Sequence, residues 1–540
     1  MRLPRIAGAV LLLAGLLGTS VPGAAAAGPP HRHHGRTIIS YHATEPENPL
    51  IPGDTTESGG VKVVQALFRG LVAYDPVDAH PTNAVAESIT TDDSRVFTIK
   101  LKRHWTFHDG TPVTAGSFVD AWNYTAYGPN RMQGASYLSH IKGFGEVNAP
   151  DSTVRKMSGL KVVDDRTFVV TLSAPFSEFP VTLGYSAFFP LPKIFFRNRA
   201  AYEAHPIGNG AFKFVYWKHG KDILLKTYRR YAGPRRPHIG GVDFRIYATL
   251  DEAYYDVVAN KLDYLDITPY WSLENDRYKQ DLPDRHKERT YLGIQTISFP
   301  LYDSRYADRR LRQALSMAID REALIDKIFQ GHEVPADGLV PPSVSGRADG
   351  QCGELCTYAP ERAKELFDAS GFQGEIQLTS NVDSPNQPWM EEVCASITRT
   401  LGRACTFLPI PTLGEFRRKL NDHEITALFR SGWIADYPSI ENFLSPMYRT
   451  GAAANVGEYS SPTVDALLAD ADAATTSARA WDLYQQAERA ILQDMPTIPV
   501  WYQSSLSAWS ERLRNVQPNP FRELDLYSVE VSGDCGHQRY

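Results

Sequence analysis

The sequence predicts a protein of the α/β class. Apolar runs suited to buried strands alternate along the chain with segments whose apolar residues recur at helical spacing. The 540 residues are enough for two or three lobes of ordinary domain size. No internal repeat and no long low-complexity linker interrupts the pattern, which indicates lobes built from several crossings of the chain.

Each predicted element follows from its local pattern. The glycines of Gly208-Asn209-Gly210 mark a sharp turn at which positive φ is easy. One long amphipathic helix is predicted over 309–328, with Asp320 and Arg321 as an internal polar pair. Strands are predicted over 37–41, 96–101, 168–172, 212–215 and 242–247. Further helices are predicted over 61–71, 115–124, 250–260, 360–369, 463–471 and 478–492.

Residues 1–27 have the three parts of a secretory signal peptide. A start that carries Arg2 and Arg5 leads into an apolar run over 6–17, and the segment ends in small residues. The apolar run is too short for a spanning helix. We therefore expect a secreted, periplasmic or cell-surface-associated protein.

Two details of the N-terminal region bear on anchoring and metal binding. Leu16 stands where a bacterial lipoprotein would carry the lipid-modified cysteine, so we predict no lipid anchor. Residues 28–36 form a flexible linker, in which His31, His33 and His34 could bind metal weakly.

The chain has five cysteines, and an exported protein meets an oxidising environment. We expect disulfides between Cys352 and Cys356 and between Cys394 and Cys405, with Cys535 left over in a C-terminal tail, 533–540. The alternative, a zinc site at Cys352 and Cys356, lacks the second half of any zinc pattern.

Charge and motifs argue against several classes of function. A net charge of -6 speaks against a nucleic-acid partner, which would require a basic surface. The sequence contains no phosphate-binding loop, no His-Glu-x-x-His and no Gly-x-Ser-x-Gly. No catalytic residue, metal or cofactor is therefore assigned.

Four segments of the chain form recognisable motifs: Trp105 to Ala115 (WTFHDGTPVTA), Pro206 to Lys213 (PIGNGAFK), Ala314 to Arg321 (ALSMAIDR) and Gly432 to Pro438 (GWIADYP). Taken in this order, they resemble one family, the oligopeptide- and dipeptide-binding proteins (family 5) of ABC importers, in their actinobacterial form. The resemblance implies a periplasmic-binding-protein-like, two-lobed (Venus flytrap) fold with an extra inserted domain.

The resemblance also implies domain boundaries. Lobe I would combine 37–62, 192–290 and 498–532, the inserted domain II would be 63–191, and lobe III would be 291–497. The ligand would bind between the lobes, and its contacts with both would stabilise the closed state.

The last of the four segments carries the predicted ligand contacts, in a loop after the apolar run 426–429. In the family, the Asp of this motif anchors the α-ammonium group of a peptide, and Asp436 holds that place. An Arg six residues earlier can pair with the peptide C-terminus, and Arg430 holds that place. Hydrogen bonds with an ionised donor or acceptor are stronger than neutral ones, so two charged side chains would suit a ligand with an ammonium group and a carboxylate. Trp433, Tyr437, Tyr41, Glu45 and Tyr502 are further candidates.

The predicted function is capture of short peptides for an ABC permease by a monomeric protein. Two alternatives stay open at this point. One is a binding protein for a metal chelate, a sugar or a secondary metabolite, for which Asp436 would be dispensable. The other is a secreted enzyme or scavenger on the same fold.

Overall fold

An eleven-stranded mixed sheet forms the centre of the structure, a computed structural model that describes residues 37–382, 384–452 and 454–532. The predicted signal peptide, the linker with its histidines, Cys535 and the C-terminal tail lie outside the described residues.

The strands include those predicted from short apolar runs and from the alternating run of residues 96–101. They are β1 (Ile38–Ala43), β2 (Val72–Tyr74), β3 (Pro81–Asn83), β4 (Ala86–Thr90), β5 (Val96–Leu101), β6 (Leu160–Asp164), β7 (Thr167–Thr171), β8 (Phe212–Lys218), β9 (Asp222–Thr227), β10 (Gly241–Ile246), β11 (Tyr264–Leu265), β12 (His286–Ser298), β13 (Val334–Pro335), β14 (Ile376–Asn381), β15 (Cys405–Ile410), β16 (Leu428–Ile434), β17 (Thr497–Trp509), β18 (Leu513–Arg514) and β19 (Glu530–Val531).

The helices lie between these strands, which confirms the α/β class. They are α1 (Ser58–Leu67), α2 (Ala115–Ala126), α3 (Phe144–Asn148), α4 (Phe179–Thr182), α5 (Lys193–Arg197), α6 (Arg199–Ala204), α7 (Leu250–Val258), α8 (Arg277–Asp281), α9 (Arg309–Met317), α10 (Arg321–Phe329), α11 (Pro360–Ser370), α12 (Gln387–Leu401), α13 (Leu413–Asn421), α14 (Ile440–Tyr448), α15 (Pro462–Asp472) and α16 (Ser477–Asp494).

The order of strands in the large sheet shows how the two halves of the chain are joined. It runs β15-β14-β16-β12-β17-β11-β1-β10-β9-β8, with β13 also paired to β17. The two longest strands, β12 and β17, pair antiparallel in the middle. Strands from 38–265 lie on one side of this pair, and strands from 376–434 lie on the other. The chain therefore crosses between the halves along β12 and β17.

Two large hydrophobic cores lie on the two sides of this central pair. One draws on residues 39–264 and 513–529, and it includes the four-stranded antiparallel sheet β4-β5-β7-β6. The other draws on residues 292–502 together with Ala79. Ligand bound between the cores would contact both sides of the molecule.

The predicted single helix over 309–328 is wrong, because the segment forms α9 and α10 with a break at 318–320. The Asp320 carboxylate caps α10 by accepting a hydrogen bond of 3.0 Å from the Ala323 N–H. Arg321 does not pair with it, since its guanidinium donates to the Pro499 carbonyl oxygen at 2.8 Å. Asp320 thus caps the start of α10, and Arg321 separately binds α10 to β17.

The glycines of the 208–210 turn serve close packing, and φ is not positive at either of them. A Cβ at Gly208 or Gly210 would collide with the backbone of Leu67. The expectation of positive φ at this turn is therefore wrong. Gly110, in the turn before α2, does have a φ of 86°.

Two disulfides join the cysteine pairs expected from the sequence, Cys352 to Cys356 and Cys394 to Cys405. The second pair ties the helix α12 to the first residue of β15. Among the described residues, no helix is both long and apolar enough to cross a membrane.

Candidate ligand-binding site

The strand β16 has an uncovered edge on one side. It pairs with β12 from Phe429 to Ile434 but with β14 only at Leu428 and Phe429. The Ala435 N–H donates to the Leu292 carbonyl oxygen of β12 at 2.8 Å. Because backbone direction alternates along a strand, the peptide groups of Gly432 and Ile434 point away from β12. An extended chain could pair with this edge.

This finding corrects the predicted loop, because residues 430–434 belong to a strand. Alternation places Arg430 and Ile434 on the same face of the sheet. The Ile434 side chain is exposed, whereas Trp433, on the opposite face, packs against the core of residues 292–502. The face that carries Arg430 is thus the open one.

Asp436 follows this strand, and its carboxylate is partly buried without a cation beside it among the described residues. Its Oδ1 accepts a 2.7 Å hydrogen bond from the Tyr137 hydroxyl, and its Oδ2 accepts one of 3.4 Å from Nδ2 of Asn442. Burial raises the pKa of Asp436, and the two hydrogen bonds oppose that rise. No described Lys, Arg or His forms an ion pair with it. A ligand ammonium group would supply the missing charge.

Asn442, in the first turns of α14, holds the motif in shape. Its Oδ1 accepts hydrogen bonds from the Asp436 N–H at 3.0 Å and from Nε1 of Trp433 at 3.1 Å. The helix begins after Ser439, whose side chain accepts from the Glu441 N–H. Sequence analysis missed Asn442, although its place after a Ser cap could have indicated a side chain turned back toward the loop.

Tyr437 points away from the open face. It is buried, and its hydroxyl donates a 2.6 Å hydrogen bond to Oε2 of Glu441. This placement suits a residue that supports the loop, and direct contact between Tyr437 and ligand stays a prediction.

Arg430 is the second charged residue on this strand, opposite Ile297 of β12. Its Nε is buried without a hydrogen-bond partner, and its guanidinium has no ion pair among the described residues. Burial lowers the pKa of Arg430, and the hydroxyl groups of Tyr291 and Tyr270 oppose that effect. A partly buried carboxylate and a guanidinium without an ion pair among the described residues thus lie six residues apart.

Tyr41, in β1, lies in the other half of the sheet and is almost fully buried. Its hydroxyl accepts a hydrogen bond of 3.1 Å from the Leu524 N–H. Tyr41 also lines a cavity of about 100 Å³ together with Lys62, Arg69 and Tyr74. Tyr74 is close enough to Asp436 for that charge to raise the pKa of its hydroxyl, after the larger effect of burial. The cavity therefore borders the Asp436 region.

Glu45 and Tyr502 have partners of their own. Glu45 accepts hydrogen bonds from Nδ1 of His219 at 2.8 Å and from the Gly220 N–H at 3.0 Å. Tyr502 is buried in β17 and donates to Oδ1 of Asp337 at 2.7 Å. The structure brings neither of them to Asp436 by a direct hydrogen bond.

The described ranges contain no group of three or more His, Cys, Asp or Glu side chains that could hold a metal ion.

Comparisons with known proteins match most of the chain. A family model described as "Bacterial extracellular solute-binding proteins, family 5 Middle" matches residues 80–455. The periplasmic oligopeptide-binding protein OppA of Escherichia coli is 27% identical over 460 residues, 81% of each chain. The probable deoxycholate-binding periplasmic protein YgiS of Escherichia coli is 26% identical over 488 residues, 86% of this chain and 88% of its own.

A solved structure confirms the fold. The murein tripeptide-binding protein MppA of Escherichia coli, in an unliganded open form, matches with a TM-score of 0.78 and 21% identity. The match covers 92% of this chain and 97% of MppA. The chain therefore has the mixed α/β fold of periplasmic binding proteins with an extra domain, as the sequence predicted.

Proposed function

The chain belongs to the bacterial extracellular solute-binding proteins of family 5, and from that premise we propose that it captures short peptides between its lobes for import by an ABC transporter. The family consists of binding proteins, so the enzyme alternative is not retained. The observation that carries the peptide proposal is Asp436, a partly buried carboxylate that forms no ion pair with a described residue, at the end of an uncovered strand edge.

In this proposal the peptide lies along β16 as an added strand. The peptide groups of Gly432 and Ile434 would bond to its main chain, a mode of binding that would not select for side-chain sequence. Asp436 would hold the ammonium group, and Arg430 would hold the C-terminal carboxylate. Six residues of extended chain reach about 20 Å, which sets an upper limit of roughly six residues on such a peptide.

The names of relatives support a peptide ligand. OppA is named for oligopeptides and MppA for a murein tripeptide. The partner would be the permease of an ABC importer. The actinobacterial type, the cleavable signal, the absence of a lipid anchor, the domain boundaries and the monomeric state stay predictions.

A non-peptide ligand is the second candidate, because the relative YgiS is named as a probable deoxycholate-binding protein. Such a ligand has no ammonium group, so its binding would not depend on the charge of Asp436.

Native mass spectrometry separates the two candidates. The protein is unfolded to remove bound solutes, refolded, and mixed with a defined pool of di- to pentapeptides or with deoxycholate. We expect wild type to retain peptides and Asp436→Asn to bind them at least about 30-fold more weakly, since an unpaired buried charge costs about 2–5 kcal/mol. Asp470→Asn, at an exposed position on α15, is the matched control.

The peptide proposal fails if wild type retains no peptide, or if Asp436→Asn retains peptides as well as wild type does. Retention of deoxycholate alone would favour the second candidate.

A further inference from the structure

The outer end of the large sheet carries a group of exposed basic side chains. β8 is the last strand of the sheet, next to β9, and the loop 228–240 joins β9 to β10. Five basic residues of these elements are exposed and form no ion pair with a described residue, and we call them the basic patch: Lys213, Lys226, Arg229, Arg230 and Arg236. Because the whole chain has a net charge of -6, the patch is a local reversal of charge.

The loop that carries the three arginines is held to the body of the protein by its tyrosines. Tyr228 and Tyr231 are buried, and the ring of Tyr231 meets that of Trp105 edge-on, with centroids 5.4 Å apart. Within the loop, the guanidinium group of Arg236 donates to the carbonyl oxygen of Arg229 at 3.1 Å. The tyrosines thus fix the loop while its arginines stay at the surface.

The two lysines of the patch lie directly opposite each other. Lys213 of β8 pairs with Lys226 of β9, so both side chains are on one face of the sheet, where like charges repel. One turn links them to the arginines: Lys213 is close enough to His108 for its charge to lower the pKa of that ring, after the larger effect of burial. Two residues along the same turn, a Cβ at Gly110 would be 3.9 Å from a guanidinium nitrogen of Arg230. The five cations therefore form one surface.

The acids around the basic patch do not neutralise it. Asp525 forms an ion pair with Arg235, a further arginine of the loop, so these two charges cancel each other. Asp243 of β10 is on the same face as Lys226 but pairs with Arg245 at 3.0 Å. Asp109 is exposed beside the patch and forms no ion pair with a described residue. With Asp109 set against five cations, the surface keeps a strong positive charge.

We infer that the basic patch docks the protein on the phosphate groups of an anionic lipid surface. Arginine binds phosphate with two parallel hydrogen bonds, and basic residues near an anionic membrane strengthen attachment to it. A binding subunit of an ABC importer works beside a membrane, yet a net charge of -6 would be repelled by anionic lipids unless a basic face is turned toward them.

The position of the patch suits this role. β8 is at one end of the sheet, whereas β16 is on the other side of the β12–β17 pair, so a membrane at the patch would leave the edge of β16 uncovered. The inference goes beyond the proposed function, because it holds for any solute in the cleft.

The test is co-sedimentation of the protein, without its predicted signal peptide, with lipid vesicles. The vesicles contain phosphatidylcholine alone or phosphatidylcholine and phosphatidylglycerol in roughly equal amounts. The patch variant combines Arg229→Gln, Arg230→Gln and Arg236→Gln. The control variant makes the same change of charge at three exposed arginines of the other half, Arg309→Gln, Arg362→Gln and Arg489→Gln. Thermal unfolding shows that each variant is folded.

We expect wild type to bind the phosphatidylglycerol vesicles and not those of phosphatidylcholine alone. Each basic residue contributes about fivefold, so the patch variant should bind at least about 30-fold more weakly and the control variant within about threefold of wild type. Raising NaCl from about 0.1 M to about 1 M shortens the screening length from about 10 Å to about 3 Å and should release the protein.

Equal binding of wild type to both kinds of vesicle, no binding to either, or equal weakening of the patch and control variants would overturn the inference. Release by sodium phosphate at constant ionic strength would indicate a site for free phosphate and would also overturn it. None of these outcomes bears on the peptide proposal, which is tested by the binding of peptides to wild type and to Asp436→Asn.

Discussion

The hydroxyl group of Tyr137 donates a 2.7 Å hydrogen bond to the carboxylate of Asp436, across 299 positions of sequence. Tyr137 packs against the core of residues 39–264, whereas Asp436 follows a strand of the other half. The two halves also meet where the Ser439 hydroxyl donates to Oε2 of Glu178 at 2.7 Å. The predicted ammonium anchor thus lies where the two sides of the molecule touch.

Tyr137→Phe should weaken peptide binding about tenfold, because a hydrogen bond to a charged group contributes about 1.5 kcal/mol or more. The hydroxyl also favours the ionised form of Asp436, so its loss should raise the pKa of that carboxyl further. Peptide affinity should then begin to fall at a higher pH in the variant than in wild type as pH is lowered. Calorimetry between pH 5 and 8 measures both effects, and Tyr358→Phe at an exposed tyrosine is the control. Unchanged affinity at every pH would show that the hydroxyl plays no part in binding.

Asn442→Ala should lower peptide affinity without a large loss of stability, because Asn442 orients both Asp436 and Trp433. We expect a loss of roughly tenfold in affinity, equivalent to about 1.4 kcal/mol. Calorimetry gives the affinity, and tryptophan fluorescence reports the altered surroundings of Trp433. Wild-type affinity in this variant would mean that the loop keeps its shape without the amide.

A group of buried acids lies at the contact between the two halves. Glu178 and Glu441 are buried, and Asp472 is largely so. Burial raises the pKa of all three, that of Glu441 to about 8. The Tyr437 hydroxyl donates a hydrogen bond to Glu441, and the Tyr484 hydroxyl donates one to Asp472. Arg449 forms an ion pair with Asp472, and His140 lies close to Arg449.

Stability should therefore fall as pH rises from 7 to 9. The folded protein keeps a proton on Glu441 that the unfolded chain releases near pH 4.5, so this contribution to stability declines above pH 4.5 and its last part is lost as pH passes through the folded pKa of about 8. Glu441 alone changes the free energy of unfolding by on the order of 1 kcal/mol between pH 7 and 9. Thermal unfolding at both pH values should show the fall, and Glu441→Gln should reduce it. Exposed Glu361→Gln serves as control, and a fall of equal size in Glu441→Gln would exclude Glu441 as its source.

Removal of the disulfides should destabilise the protein by different amounts. The Cys394–Cys405 bridge spans 11 positions and the Cys352–Cys356 bridge only 4. Loop-closure entropy then gives about 3 kcal/mol for the first and about 2 kcal/mol for the second. Urea unfolding of the two double Cys→Ala variants measures the difference. A larger loss from the shorter loop would contradict this entropic ranking.

Local patterns predicted much of the fold. The alternating run of residues 96–101 predicts β5 at its observed bounds because the signal lies in neighbouring residues. In contrast, the helical spacing of apolar residues continues across 318–320 and does not show the break between α9 and α10. That break depends on Asp320 as a cap and on Arg321 bound to the distant Pro499, which spacing alone does not reveal.

The candidate site was predictable only where a motif carries it. Asp436 and Arg430 follow from the resemblance of one segment to a family. Tyr137 and Asn442 join the site through side-chain hydrogen bonds to Asp436, and Tyr137 is 299 positions away in sequence. No local pattern in the sequence indicates that distant contact.

A crystal structure of the protein with a bound tri-, tetra- or pentapeptide tests the central proposal most directly. The account predicts the peptide ammonium nitrogen at about 2.7–2.9 Å from an Asp436 oxygen, with the peptide main chain paired to Gly432 and Ile434. A peptide bound elsewhere, or one whose ammonium group does not contact Asp436, would contradict it.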